Sequence, residues 1–274
     1  MEQVFVKNPN ISINDLLEED LKNLLDVSDD IEANPQKYRS IMDRKVLTNL
    51  FYEPSTRTSS SFHSAMLRLG GSVIQINEVQ YSSVSKGENL QDTILTIGSY
   101  SDFIVLRSQY AGDAKIASEV SQVPLINAGD GSGEHPTQAL LDLRTIYKNK
   151  EALEGLKIVF VGDIANGRTV HSLGAFLQNH NECHYFETYE DMASELPDAD
   201  VLYMTRVQTE RGSTESYELT RDHVDVLSKE CIVMHPFPRN DELPRWFDLD
   251  PRAKYIEQMK HGLFMRMAIL TSLD

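Results

Sequence analysis

The sequence has only two cysteines, Cys183 and Cys231, and no Cys-x-x-Cys pair. This scarcity argues against a disulfide scaffold and against a zinc ribbon. Long hydrophobic runs are also missing. The longest, such as 157–161, have the length of a strand, so no segment is expected to span a membrane. The N-terminus lacks the basic, apolar and small-residue pattern of a signal peptide. We therefore expect a protein of a reducing compartment, the cytoplasm.

Basic residues are few relative to acidic ones. Lys and Arg number 26 against 42 Asp and Glu, which gives a formal net charge of −16. Nucleic acid and anionic membranes are therefore not expected as partners, because both require a basic face. Neither the G-x-x-x-x-G-K-[ST] loop nor the G-x-G-x-x-G fingerprint occurs, which excludes a P-loop and a Rossmann dinucleotide site of the usual kind.

Helix-like and strand-like segments alternate along the 274 residues, a pattern typical of α/β proteins about two domains long. The expected strands are 45–51, 71–77, 102–107, 123–127, 156–162, 183–186, 201–205 and 231–235. The expected helices are a segment opening at Ser12, 59–69, 90–100, 136–147, 167–178 and 261–273. We predict two doubly wound α/β lobes with parallel sheets, joined by inter-lobe helices, with a cleft between them.

The segment from Phe51 to Thr58 follows an expected strand and opens an expected helix. The first N–H groups of a helix lack partners within it, and its dipole favours negative charge there, so this junction suits a phosphate. Ser55, Thr56 and Thr58 add hydroxyl donors, and Arg57 adds a guanidinium that binds two phosphate oxygens. The alternative is a capped helix with a surface arginine, and the spacing alone leaves both open.

Two further cations stand near expected strand ends. Lys86 lies in the polar segment 82–88, where it can reach an anion, although a solvated loop is the alternative. Arg107 ends an expected buried strand, where an unpaired arginine is costly. We expect it either to contact a substrate or to form a structural ion pair with a carboxylate such as Glu53.

Polar residues also follow the other expected strands. His135 begins a helix whose dipole favours the neutral ring, which is then free to donate to a carbonyl oxygen, and Gln138 lies one turn further on. A capping or core histidine is the alternative. Arg206 and the segment 235–239 follow strands of the second lobe, where open α/β sheets place ligand contacts. Surface salt bridges and a rigid proline turn are the alternatives here.

Four motifs together resemble the aspartate/ornithine carbamoyltransferase family, in the family's order and approximate spacing. They are Ser55-Thr56-Arg57-Thr58, Ser82-x-x-x-Lys86-Gly87-Glu88, His135-Pro136-Thr137-Gln138 and His235-Pro236-Phe237-Pro238. The likeness runs from about residue 11 to 266. Thr137 stands where the ornithine branch usually has cysteine, and the Ser-Met-Gly loop of that branch is missing. The aspartate branch is therefore the closer match. It implies transfer of the carbamoyl group of carbamoyl phosphate to the amine of L-aspartate, giving N-carbamoyl-L-aspartate and phosphate in pyrimidine biosynthesis.

The resemblance implies a role for each matching residue in binding carbamoyl phosphate. The phosphate group would be held by Ser55, Thr56, Arg57, Thr58 and Arg107. The carbonyl oxygen would accept hydrogen bonds from Thr58, Arg107 and His135, which stabilise the oxyanion as the amine attacks. The carbamoyl NH2 would donate to Gln138 and to the backbone carbonyls of Pro236 and Phe237. The residues implied to act on the reacting atoms are Arg57, Thr58, Arg107, His135 and Lys86.

Aspartate would be bound mainly by the second lobe. The residues implied are Lys86, Arg168, Arg206 and Gln208, with Ser82 and Lys86 supplied by a neighbouring chain of a homotrimer. The implied carbamoyl-phosphate domain is 1–134 plus 258–274, and the implied aspartate domain is 135–257. A regulatory or multienzyme partner is compatible with the family. No metal and no cofactor is expected, because the departing phosphate can take the amine proton and catalysis rests on orientation and electrostatics.

The chain departs from the family in two places. The stretch between Arg168 and Arg206 is shorter by about one helix–strand unit, which predicts a trimmed aspartate lobe with a smaller sheet. Lys260-His261 stands where the family usually has a residue followed by Asn, near the expected hinge. Two alternatives follow: a carbamoyltransferase for another amino acid, or a catalytically silent homologue that binds anions or scaffolds an assembly. Arg206 and Gln208 argue against the first, because that pair suits an acceptor rich in carboxylates.

Overall fold

The structure, a computed structural model, describes residues 12, 16–77, 87–165, 167–206 and 218–273. The chain divides into two compact units. The first contains Met1–Leu140 and Gly262–Asp274, and the second contains Leu141–His261. Both boundaries fall inside helices, a few residues after the expected limits at 134 and 257. Within the described residues, no helix is long and apolar enough to cross a membrane.

The first unit is built from alternating helices and strands. Its helices are α1 (Glu18–Ala33), α2 (Pro35–Tyr38), α3 (Thr56–Arg68), α4 (Leu90–Gly98) and α5 (Asp113–Val120). Its strands are β1 (Val46–Phe51), β2 (Ser72–Asn77), β3 (Phe103–Ser108) and β4 (Leu125–Asp130). Helix α6 (Pro136–Lys150) contains the first boundary between the units.

The sheet of the first unit is parallel, with strand order β2-β1-β3-β4. Strands β1, β3 and β4 are almost wholly buried, whereas the edge strand β2 is largely exposed. Apolar residues on the strands and on α4 and α5, such as Ile94, Ile104 and Ala117, pack into one core. Because both faces of a parallel sheet are covered, its central strands are buried at nearly every position rather than at alternate ones.

The second unit repeats this architecture. Its strands are β5 (Lys157–Val161), β6 (Glu182–Phe186), β7 (Val201–Met204) and β8 (Ile232–Met234). Its helices after α6 are α7 (Arg168–Leu177), α8 (Tyr189–Met192), α9 (Arg221–Val226) and the start of α10 (Tyr255–Ser272), which contains the second boundary. The parallel sheet has the order β6-β5-β7-β8. Only the four-residue helix α8 lies between β6 and β7, so this connection is short.

The prediction of two doubly wound α/β lobes with parallel sheets is confirmed, and several boundaries need correction. The expectation that Ser12 opens the first helix is wrong: its Oγ donates to Glu134 Oε1 at 2.8 Å, and the helix begins at Glu18 with three acidic residues in its first turn. Acidic side chains at that end are favoured by the helix dipole. Helix α3 begins three residues earlier than expected, and α10 begins six residues earlier.

Candidate functional site

Arg107 lies near the carboxyl end of β3, where the pairing of β3 with β4 shifts register between Leu106 and Ser108. Such irregularities re-aim a side chain beside functional sites. Its Nε donates to Glu53 Oε2 at 3.2 Å, and one Nη lies 3.5 Å from Ser55 Oγ and 3.5 Å from His135 Nε2. Arg107 therefore forms the expected ion pair with Glu53 and also contacts two predicted site residues, Ser55 and His135.

Ser55 is the N-cap residue of α3, and its side chain makes no capping hydrogen bond. Its Oγ instead faces the Arg107 guanidinium. The first turn of α3 carries Thr56, Arg57 and Thr58 and has no acidic residue. Its leading N–H groups lack partners within the helix by geometry, and the positive end of the dipole lies there. This junction can therefore bind an anion.

A short loop after β4 places His135 beside Arg107. Asp130 holds this loop, because its Oδ1 accepts from Glu134 N at 3.0 Å and its carbonyl oxygen accepts from Gly133 N at 2.8 Å. Gly131 has a φ of +54°, and a Cβ there would lie 2.6 Å from Ala111 N, so only glycine fits. His135, which is 5% exposed, ends the loop immediately before α6.

The other predicted residues of the first unit that the structure describes lie in the first turns of α3 and α6. Thr58 is buried and Arg57 is exposed in the first turn of α3, while Gln138 is buried in the first turn of α6. The backbone N of Gln138 donates to His135 O at 3.0 Å, which ties the two residues together. Strands β1, β3 and β4 are adjacent and parallel, so the segments after them share one edge of the sheet. Open α/β sheets bind ligands at this edge.

The predicted aspartate-binding residues follow strands of the second unit. Arg168 is the first residue of α7, and Arg206 follows β7. Pro236 and Phe237 follow β8 in a turn where both are partly buried. Phe237 has a φ of +54°, a left-handed conformation that is rare for a bulky residue. Three predicted residues, Ser82, Lys86 and Gln208, lie outside the part of the chain that the structure describes.

A buried pair supports the turn after β8. His235 Nε2 lies 2.9 Å from Glu242 Oε1, and His235 Nδ1 accepts from the backbone N of Phe237 at 2.9 Å. Because Nδ1 accepts, the ring proton resides on Nε2 and the imidazole is neutral. Burial by itself raises the pKa of Glu242, but hydrogen bonds donated by His235 and by the backbone N of Asn240 lower it below its ordinary value.

A second buried chain of hydrogen bonds meets His235 from the other side. Its backbone N donates to Gln258 Oε1 at 3.0 Å, and Gln258 Nε2 donates to Asp142 Oδ1 at 2.6 Å. Tyr203 OH donates to the other carboxylate oxygen of Asp142 at 2.7 Å. Tyr203 is fully buried, which raises the pKa of its hydroxyl well above the ordinary value. This chain connects α6, β7 and α10 to the turn.

Sequence reasoning missed Glu242, Gln258, Asp142 and Tyr203. Asp142 and Gln258 are 116 residues apart in the chain, so no local spacing pattern relates them. Glu242 lies seven residues after His235, and only the turn between them brings the two side chains together. The available signal was limited to Asp142, which stands among the leucines Leu140, Leu141 and Leu143 of α6.

Models of two domains match the chain. The aspartate/ornithine carbamoyltransferase carbamoyl-P binding domain matches residues 9–148, and the Asp/Orn binding domain of the same family matches 176–273. The aspartate carbamoyltransferase catalytic subunit of Thermoplasma acidophilum is 41% identical, over 95% of this chain and 96% of the relative. That of Methanococcus vannielii is 42% identical, over 96% and 97%.

Solved structures give the same result. The aspartate transcarbamoylase of Trypanosoma cruzi in complex with N-(phosphonacetyl)-L-aspartic acid has a TM-score of 0.90 and 36% identity, over 99% of this chain and 96% of that one. Its complex with carbamoyl phosphate has a TM-score of 0.91 and 35% identity, over 99% and 97%.

The alignment with the Thermoplasma acidophilum protein spans 292 positions, more than the 274 residues of this chain, so that relative has residues without a counterpart here. The chain is thus a compact version of the proteins it resembles. Identity above 40% over nearly the full length, both domain models and the likeness of fold agree. The chain belongs to the aspartate/ornithine carbamoyltransferase family.

Proposed function

We propose that this chain is an aspartate carbamoyltransferase, which transfers the carbamoyl group of carbamoyl phosphate to the amine of L-aspartate. One observation carries the proposal at the level of the site: Ser55, Arg107 and His135 meet at the start of an uncapped helix, at the carboxyl edge of the first sheet. Carbamoyl phosphate has a dianionic end and a polar carbonyl, and this cluster offers donors for both.

Binding of carbamoyl phosphate is assigned to the first unit. The phosphate group binds at the N-terminus of α3, where it is held by the guanidinium of Arg107 and by Ser55, Thr56, Arg57 and Thr58. A fork-shaped guanidinium binds two phosphate oxygens at once, which fixes the orientation of the substrate. Glu53 neutralises part of the charge of Arg107 and holds its side chain in place.

The proposed chemical step develops negative charge on the carbonyl oxygen of carbamoyl phosphate. The amine nitrogen of aspartate attacks the carbamoyl carbon, and negative charge collects on the carbonyl oxygen, where Thr58, Arg107 and His135 donate hydrogen bonds. The bond from carbon to the phosphate oxygen then breaks, and the departing phosphate takes the amine proton. Gln138 and the carbonyls of Pro236 and Phe237 accept from the carbamoyl NH2 and hold the group in plane.

Binding of aspartate is assigned to the second unit. Arg168 and Arg206 bind its two carboxylates, helped by Gln208 and by Lys86. Their support is placement: Arg168 starts a helix after β5, and Arg206 follows β7, at the ends of neighbouring parallel strands. Two arginines at one sheet edge suit a dicarboxylate better than they suit the cationic side chain of ornithine.

We assign the protein to a homotrimer in which Ser82 and Lys86 complete the site of a neighbouring chain. A regulatory or multienzyme partner is compatible with this assembly. The cytoplasm remains the proposed compartment, because Cys183 and Cys231 are both free thiols. Burial raises the pKa of Cys231 to about 12, so the Cys231 thiol is unreactive.

Steady-state assay of carbamoyl transfer tests the proposal. The purified protein is expected to form carbamoyl-aspartate from carbamoyl phosphate and L-aspartate, and not to use L-ornithine. Turnover with ornithine alone would overturn the assignment to the aspartate branch. Binding of carbamoyl phosphate in a calorimeter without turnover of aspartate would identify a silent anion binder instead.

A further inference from the structure

In the turn after β8, the N–H and the C=O of the Pro236–Phe237 peptide have different roles. The N–H of Phe237 and the C=O of Pro236 belong to the same peptide, and a planar trans peptide points them in opposite directions. The N–H donates to His235 Nδ1 at 2.9 Å, toward a ring that is 1% exposed. The carbonyl of Pro236 therefore points away from that buried ring. In the proposed function, it is one of the two acceptors for the carbamoyl NH2.

His235 can accept the hydrogen bond from Phe237 N in only one tautomer, and Glu242 selects that tautomer. Nδ1 accepts from Phe237 N only when the ring proton is on Nε2, and an acceptor beside Nε2 favours that form. Glu242 Oε1 supplies the acceptor at 2.9 Å and is itself oriented by Asn240 N at 2.9 Å. With Glu242 only 3% exposed, water does not easily replace it. The Gln258 amide fixes the backbone of His235 independently.

We propose that Glu242 is a positioning residue for carbamoyl transfer: through His235 it orients the Pro236–Phe237 peptide, whose carbonyl oxygen, that of Pro236, holds the carbamoyl NH2. This inference rests on the proposed function. It assigns Glu242 no contact with substrate. Loss of the carboxylate frees the ring to change tautomer and lets the peptide rotate, so the carbamoyl group is misplaced while the phosphate site in the first unit is untouched.

The test compares Glu242→Ala and Glu242→Gln with the exposed neighbour Asp241→Ala as a matched control. For Glu242→Ala we expect kcat to fall about 10- to 100-fold, the loss typical of small misplacements of reacting groups. Glu242→Gln keeps an oxygen acceptor and should recover most of that loss, and Asp241→Ala should match wild type. Inhibition by inorganic phosphate should be unchanged in all three, which a general loss of structure would not allow.

A second pair of variants decides the matter if Glu242→Ala does not fold. In His235→Asn the amide oxygen takes the place of Nδ1 and can accept from Phe237 N, whereas in His235→Gln the amide reaches only toward Glu242. We expect His235→Asn to retain the higher kcat. Equal kcat values in this pair, or a folded Glu242→Ala with wild-type kcat, would overturn the inference. A wild-type protein without any carbamoyl transfer would instead refute the proposed function.

Discussion

At the residue scale, the site depends most on charge placed where phosphate is expected. Arg57 is exposed in the first turn of α3, so its removal should disturb the fold little. We predict that Arg57→Ala lowers kcat/KM at least about 10- to 100-fold, because loss of even one hydrogen bond to a charged group has an effect of that size. Steady-state kinetics measure this loss. Arg68→Ala, an exposed arginine at the other end of the same helix, is the control and should leave kcat/KM unchanged.

Acid stability provides a second residue-scale prediction. Arg239 donates two hydrogen bonds to Asp248, one of them from Nη2 at 2.8 Å, and with Tyr255 they lower the pKa of Asp248 from 3.8 to about 2. A lowered pKa stabilises the fold above pH 3.8, and this contribution is lost as the pH falls through about 2. Asp248→Asn should lower the melting temperature at pH 7, and the deficit should shrink toward pH 2. A deficit independent of pH would contradict this origin.

The sequence indicates candidate binding groups more readily than it indicates the groups that hold them in place. Arg57, Arg107 and His135 are recognisable because cationic or polar residues stand at the ends of apolar, strand-like runs or within a few residues of them. Glu53 was foreseeable as a partner for Arg107, since a half-buried guanidinium requires a carboxylate. Asp142, Tyr203 and Gln258 were not foreseeable, because three distant segments must pack before their side chains meet.

At the element scale, the end of β5 requires a glycine. Gly162 has a φ of +122°, and a Cβ there would lie 2.5 Å from the carbonyl oxygen of Thr205 on the adjacent chain segment. We predict that Gly162→Ala lowers the free energy of unfolding by about 1–3 kcal/mol from backbone strain alone, with the overlap adding to it. Urea denaturation measures the change.

Gly155 provides the matched control for that substitution. It also has a positive φ, +71°, but no atom lies within 4 Å of a Cβ built there. Gly155→Ala should therefore cost only the backbone term and be the milder variant. An equal loss of stability in both variants would show that close approach of Gly162 to Thr205 is unimportant.

Strands were more predictable than helices because most of the buried strands are short runs rich in apolar residues. All eight strands of the described residues lie within about two residues of their expected positions, apart from β4, which extends to Asp130. Helix α5 was missed, because it has eight residues and buries mainly small ones such as Ala114 and Ala117. The start of α10 was missed because Glu257, Gln258 and Lys260 make its first turns polar, like a loop.

At the scale of the whole molecule, the proposed trimer makes a prediction about mixed chains. Arg57 and Lys86 would reach one site from different chains, so Arg57→Ala and Lys86→Ala trimers should each be nearly inactive. After dissociation and random reassembly of an equal mixture, about a quarter of the sites should contain both intact residues and regain activity. Recovery of carbamoyl transfer on mixing measures this. No recovery, with trimers re-formed, would place both residues in the same chain's site.

Trimming of the second unit is a further prediction at the scale of the whole molecule. The short stretch between Arg168 and Arg206 predicts a smaller second unit than the family's, and this stays a prediction. The alignment with the Thermoplasma acidophilum protein spans 292 positions against 274 residues here. Within the second unit, β6 is followed by a helix of only four residues before β7. The residues assigned to aspartate lie outside the connection between β6 and β7, so shortening of that connection is not expected to remove an aspartate-binding group.

The most direct test of the central claim is a crystal structure with N-(phosphonacetyl)-L-aspartate, which joins a phosphonate and a dicarboxylate in one molecule. We predict the phosphonate against Ser55, Arg57 and Arg107, His135 at the amide carbonyl, and the two carboxylates against Arg168 and Arg206. An analogue bound elsewhere, or one that contacts the first unit but neither Arg168 nor Arg206, would contradict the assignment of the two substrates to these residues.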